Sequence, residues 1–186
     1  MRVYRVLHHR ADAAPTEPGG VLFIPPQGHG RVDNPLEYET LYVGDSPAGA
    51  CAEVFNRGRY RTEWRTEMLR GLPNMPTSRR ALAWYDVADA ALICDLDDPR
   101  VLTARSLRPS NIATRDYAKS QAWALRIHGE RRWAGVRWWS YHDARWASIG
   151  LWNHSVITTH GTEALTLDHP ALIEAAAVLS IRIVQR

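Results

Sequence analysis

The sequence predicts an α+β fold, a single domain with a mixed β-sheet and flanking helices. Short runs rich in β-branched and aromatic residues recur along the chain, bounded by Gly, Pro, Asn or Asp. Between them lie helix-type stretches opened by capping residues and prolines. The 186 residues show no internal repeat and suffice for one domain, 1–186, with a proper core.

In chain order, residues 2–7 alternate Val3, Arg5 and Leu7 against Tyr4 and Val6, as a strand does. An arginine there needs a partner or a ligand, unless the strand is an edge with Arg5 in water. Residues 10–29, rich in Ala, Pro and Gly, form an irregular excursion in which residues 21–24 offer a further short strand. His29 is expected to be a solvated loop histidine. Residues 41–44 form a strand ending in a turn; Asp45 or Ser46 caps the next helix, and Pro47 occupies its first turn. On that helix Ala50 and Val54 share a face, and Glu53 falls beside it. The helix frays near residues 56–58. Arg57, Arg59, Arg61, Arg65, Arg70, Arg79 and Arg80 then make residues 57–80 a basic, irregular region, expected to be a solvated insertion or a partner surface.

Residues 81–87 and 91–95 are two strands, and Asp97-Asp98-Pro99 starts a short helix over 100–103. An Asp95-Leu96-Asp97-Asp98 run has the chemistry for a hard cation, but the helix-start turn explains it more simply. The clearest helix spans 114–128 and is stopped by Gly129. Strands follow at 134–139, ending at Ser140, and at 149–152; residues 168–178 are helical and 179–184 form the last strand.

Net charge is +3, and Lys119 is the only lysine. Arginine suits forked contacts to phosphate or carboxylate. Acids are interspersed in the basic run and no aromatic alternation accompanies it, which argues against direct nucleic-acid binding. The eight tryptophans fit core and interface packing, which leaves room for a homo-oligomeric contact. No apolar run is long enough for a membrane span, and the N-terminus lacks a signal-peptide pattern, so the cytoplasm is the expected compartment. Cys51 and Cys94 sit in apolar settings as small buried hydrophobes. The chain carries no Walker loop, dinucleotide fingerprint, zinc motif or serine-hydrolase elbow, and no metal is expected.

The most informative stretch runs Gly30-Arg31-Val32-Asp33-Asn34, then Leu41-Tyr42-Val43-Gly44, then Ala52-Glu53-Val54. With Tyr4-Arg5, Ser120-Gln121-Ala122 and Trp138-Trp139-Ser140, this ordered set resembles the RES-domain family, named for its Arg, Glu and Ser. Many family sequences have tryptophan after the loop arginine, where this one has Val32.

The resemblance implies a fold similar to the diphtheria-toxin type of ADP-ribosyltransferase, and NAD+ as substrate. By that resemblance Arg5 and Arg31 would grip the pyrophosphate, and Tyr42 would stack on nicotinamide or its ribose. Glu53 would stabilise the oxocarbenium-like charge, or else hold the 2′-hydroxyl or orient an acceptor. Ser140 would bond the nicotinamide amide or position an arginine, with Gln121 supporting from behind. The implied activity is that of a toxin cleaving the nicotinamide–ribose bond by hydrolysis or phosphorolysis, with ADP-ribosylation of a protein as the alternative. The implied partner is a cognate antitoxin with an Xre-like DNA-binding region that can plug the cleft. A reading of another class is a nucleic-acid- or protein-binding module using the Arg- and Trp-rich surface.

Overall fold

The computed structural model describes residues 1–56 and 62–185. Among these described residues, nine strands and five α-helices follow in order: β1 (Arg2–His9), β2 (Leu41–Gly44), α1 (Pro47–Phe55), β3 (Glu63–Arg65), β4 (Arg79–Val87), β5 (Ile93–Asp95), α2 (Pro99–Ala104), α3 (Pro109–Ile112), α4 (Tyr117–Gly129), β6 (Gly135–Trp139), β7 (Ala147–Leu151), β8 (Ile157–Ala164), α5 (Pro170–Val178) and β9 (Arg182–Val184). Local chemistry sets most helix starts. Pro opens α1, α2, α3 and α5, where its missing N–H costs nothing. Ser46, Asp98, Asp116 and His169 cap α1, α2, α4 and α5 with a side-chain acceptor.

Seven strands form one mixed sheet in the order β5-β6-β7-β2-β1-β4-β8, parallel between β5 and β6 and antiparallel elsewhere. The sheet is nearly split in two. β1 pairs with β4 at eight positions from Arg2 to His9, but meets β2 at the single register Tyr4–Gly44. Where those two strands part, their side chains and backbone open a cleft.

Both faces of the β1–β4 half are covered. On one face, α1 packs on α5, and small residues on both helices, Ala48, Ala52, Ala171 and Ala175, allow a close approach over Val6 and Leu82. Phe55 and Leu172 are fully buried there, each contributing about 1.5–3 kcal/mol of transfer free energy. The other face buries Val3, Leu7, Ala83 and Tyr85 under the loop at Val21. A third cluster joins α4, through Trp123 and Ile127, to Val32 and Trp138.

Several boundaries differ from the sequence expectation. Residues 21–24 form no strand; Val21 O instead accepts from Tyr85 Oη and Phe23 O from Arg5 Nη1, so side chains satisfy the loop backbone. The helix expected from Thr114 starts at Tyr117 as α4, because Asp116 caps it, and the short α3 before it was not anticipated. Helix α4 runs through Gly129, and the left-handed residue after it is Arg131. Residues 57–61 of the basic stretch lie outside the described residues. The remainder is more ordered than expected: β3 pairs in parallel with β9 in a separate two-stranded sheet, and Trp64 is fully buried against Phe55. The expected final strand contracts accordingly to β9. The seventh strand starts two residues early, at Ala147, and β8 was not anticipated.

Candidate active site

The gap between β1 and β2 widens into a cleft of about 550 Å³, lined among others by Arg5, Arg31, Tyr42, Glu53 and Ser140. Its size lies within the range of small-molecule sites. Glu53 enters it from the second half of α1, close to the last strands of the β2 half. Ser140, just after β6, donates to Glu53 Oε1 at 2.8 Å, and Ser148 of β7 donates to the same oxygen at 3.2 Å. His142 Nε2 stands 3.7 Å from the other oxygen, Oε2. The glutamate side chain keeps 35% of its exposure, so the carboxylate is oriented from behind and open in front.

Arg31 is presented by a loop whose backbone is satisfied from several directions. Asp33, itself buried, accepts from Gly28 N and Gly30 N through Oδ2, at 2.8 and 2.7 Å. Its other oxygen accepts from Tyr42 Oη at 2.6 Å, and that hydroxyl accepts in turn from Val32 N. Ser120 Oγ donates to Arg31 O and Gln121 Nε2 to Gly30 O, tying the loop to α4. Tyr38 Oη donates to Val32 O. The Arg31 guanidinium bonds the carbonyls of Ile112 and Thr114 through Nη1 and lies 5.5 Å from the Tyr117 ring. Burial, reinforced by the bond to Asp33, raises the Tyr42 phenol well above the usual tyrosine range. Tyr42 is therefore a neutral, anchored ring, edge-on to Trp138.

Five of the six residues singled out from sequence line the cleft: Arg5, Arg31, Tyr42, Glu53 and Ser140. Gln121 does not; it holds the arginine loop through Gly28 O and Gly30 O. Val32 is fully buried, facing Gly150, where a Cβ would come within 2.8 Å of Val32 Cγ2. The valine thus fills a tight slot against β7. His29 also lines the cleft wall. Asp33, Ser148 and His142 were missed from sequence. An acid three residues after a glycine in a turn was a usable signal for Asp33, whereas Ser148 and His142 depend on contacts across the fold.

The Asp95–Asp98 run is structural. Asp98 caps α2, while Asp95 and Asp97 accept from Arg137, which also reaches Asp45. Among the described residues no His, Cys, Asp and Glu group could hold a metal ion, and no helix is long and apolar enough to cross a membrane. Both cysteines are free and buried, and burial pushes their thiols up to about 12 for Cys51 and about 11 for Cys94. They are poor nucleophiles.

The family model described as RES domain matches residues 2–170. A chain in the crystal structure of the M. tuberculosis MbcT–MbcA toxin-antitoxin complex has a similar fold, with a TM-score of 0.55 and 17% identity over 97% of this chain and 88% of that one. At that identity the likeness is one of fold. No curated protein matches the chain.

Proposed function

Because the chain belongs to the RES-domain family, we propose that it consumes NAD+, cleaving the bond between nicotinamide and ribose. The observation that carries this reading is Glu53, a cleft carboxylate held by two serine hydroxyls with Arg5 and Arg31 in the same cleft.

Each residue then has a task. A guanidinium has five N–H donors, so the carbonyls that Arg5 and Arg31 already bond leave donors for the pyrophosphate oxygens. Tyr42, fixed through Asp33, gives the nicotinamide or its ribose a rigid aromatic wall. As the C–N bond breaks, its electron pair goes to the nicotinamide nitrogen and cancels the ring's positive charge. Positive charge grows at the same time on the ribose C1″ and ring oxygen. An ionised Glu53, oriented in advance, stabilises that charge without rearranging. Water or phosphate then takes the C1″ position and gives up its proton, yielding ADP-ribose or its 1″-phosphate. A protein side chain as acceptor makes the same site a transferase.

A family of toxins also implies an inhibitor. The M. tuberculosis relative was solved as a toxin-antitoxin complex, and a cognate antitoxin with an Xre-like region that blocks the cleft is part of the proposal, as is action in the cytoplasm, where NAD+ is abundant. The test is incubation of the purified chain with NAD+, with and without phosphate, followed by mass analysis of the products. Release of nicotinamide in step with NAD+ loss is expected, and the mass of the second product names the acceptor. Intact NAD+ in both conditions, with no label transferred from NAD+ to protein in a cell lysate, would overturn the reading.

A further inference from the structure

We propose that His142 is a positioning residue for Glu53, fixing the second carboxylate oxygen as the serines fix the first. The inference deepens the proposed function and rests on it. His142 is not among the described residues that line the cleft, although Ser140 and Tyr141 just before it are. Its side chain is only 10% exposed, with Nε2 3.7 Å from Glu53 Oε2. Contacts with described residues help to hold it there: its backbone N–H donates to Ser140 Oγ at 3.2 Å, Nδ1 lies 3.2 Å from Asn56 Nδ2, and its ring meets Tyr141 edge-on at 5.6 Å.

A carboxylate oxygen only accepts, so an attractive contact places the proton on Nε2. Asn56 suits either charge state of the ring. Its NH₂ donates to a bare Nδ1 and, turned over, its carbonyl accepts from Nδ1–H. Asn56 also ends α1 through its backbone bond to Ala52 O, three residues after Glu53, so the carboxylate and the residue that orients its neighbour share one helix face. Ser140 Oγ joins the two sides, accepting from His142 N while donating to Glu53 Oε1. With Oε1 fixed by serines and Oε2 by the imidazole, both the tilt and the rotation of the carboxylate plane are set. The 3.7 Å separation is longer than a hydrogen bond, as catalytic contacts often are before substrate fills the site.

The experiment has two arms. In the first, NAD+ turnover is compared in the parental chain, His142→Ala and His142→Gln, each checked for a parental melting curve. A carboxylate freed to rotate costs transition-state stabilisation rather than binding, so His142→Ala should lower kcat by about 10–100-fold with KM little changed. His142→Gln, whose amide N–H can stand in for Nε2–H, should restore most of the loss. Equal losses in both variants, a loss confined to KM, or no loss would overturn the proposal.

The second arm needs no turnover, so it separates failure of this inference from failure of the proposed function. Side-chain ¹⁵N NMR should show His142 Nε2 as a protonated nitrogen. An unprotonated Nε2 would overturn the proposal even in a chain that leaves NAD+ intact.

Discussion

Ser140 and Ser148 donate to the same oxygen of Glu53, yet they differ in what else they hold. The Ser148 hydroxyl bonds only that oxygen among the described contacts, whereas the Ser140 hydroxyl also accepts the backbone N–H of His142. Replacing Ser148 by alanine therefore loosens the carboxylate and little else. Ser140→Ala also strands a part-buried N–H, at a cost of about 1–3 kcal/mol. Both variants should lose NAD+ turnover, and Ser140→Ala should in addition unfold at lower denaturant than Ser148→Ala. Equal unfolding midpoints would show that the loop at residues 140–146 does not depend on Ser140. The same scale explains why Tyr42 matters beyond its ring, since its hydroxyl joins Asp33 to Val32 N and so sets the loop that carries Arg31.

The β2–α1 joint was legible in the sequence because its signals are local: an apolar run, a serine cap and a proline at the first turn fix strand, turn and helix within a few residues. Strand β3 was not legible, because its partner β9 lies near the far end of the chain and its own run is only Glu63–Arg65. Strand β8 hid for another reason. It pairs on one side only and most of its residues are exposed, so it lacks an apolar alternation. The site divides the same way. Arg31, Tyr42 and Glu53 stand in recognisable neighbourhoods, but Ser148 and His142 reach Glu53 only through the folded sheet. At Gly30 a Cβ would lie 2.4 Å from Tyr42 Oη and 2.6 Å from Asp33 Oδ1, so Gly30→Ala should displace the Arg31 loop and raise KM for NAD+ in steady-state kinetics. On β1, burial first and the Arg80 guanidinium second push His8 from 6.5 down to about 4. The unfolded chain binds a proton there below about 6.5 and the folded chain only below about 4, so the stability that His8 contributes is present above that window and is lost as pH falls through it. Denaturant midpoints measured from pH 7 to pH 4.5 should fall more steeply for the parental chain than for His8→Leu. Equal slopes would contradict the assignment.

For the molecule as a whole, the sheet does two jobs at once. Eight paired positions between β1 and β4 make a firm half, and the single β1–β2 register lets the sheet part and form the cleft without exposing a long free edge at its centre. Ligand bound in that gap touches both halves, so it should stabilise the fold. Glu53→Gln, which keeps the shape of the side chain, should still gain about 2.7 kcal/mol at a ligand concentration of 100 Kd, seen as a higher melting temperature with NAD+; an unchanged melting temperature would mean that NAD+ does not bind. The most direct test of Glu53's role is the rate of nicotinamide release from NAD+ by Glu53→Gln beside the parental chain, with both proteins shown to be folded. Steady release by the parental chain is expected, with a loss of about 100-fold or more in the variant, the size found when a preorganised charge-stabilising group is removed. Release at the parental rate by Glu53→Gln would contradict that role, because the carboxylate around which the cleft is built would then play no part in the chemistry.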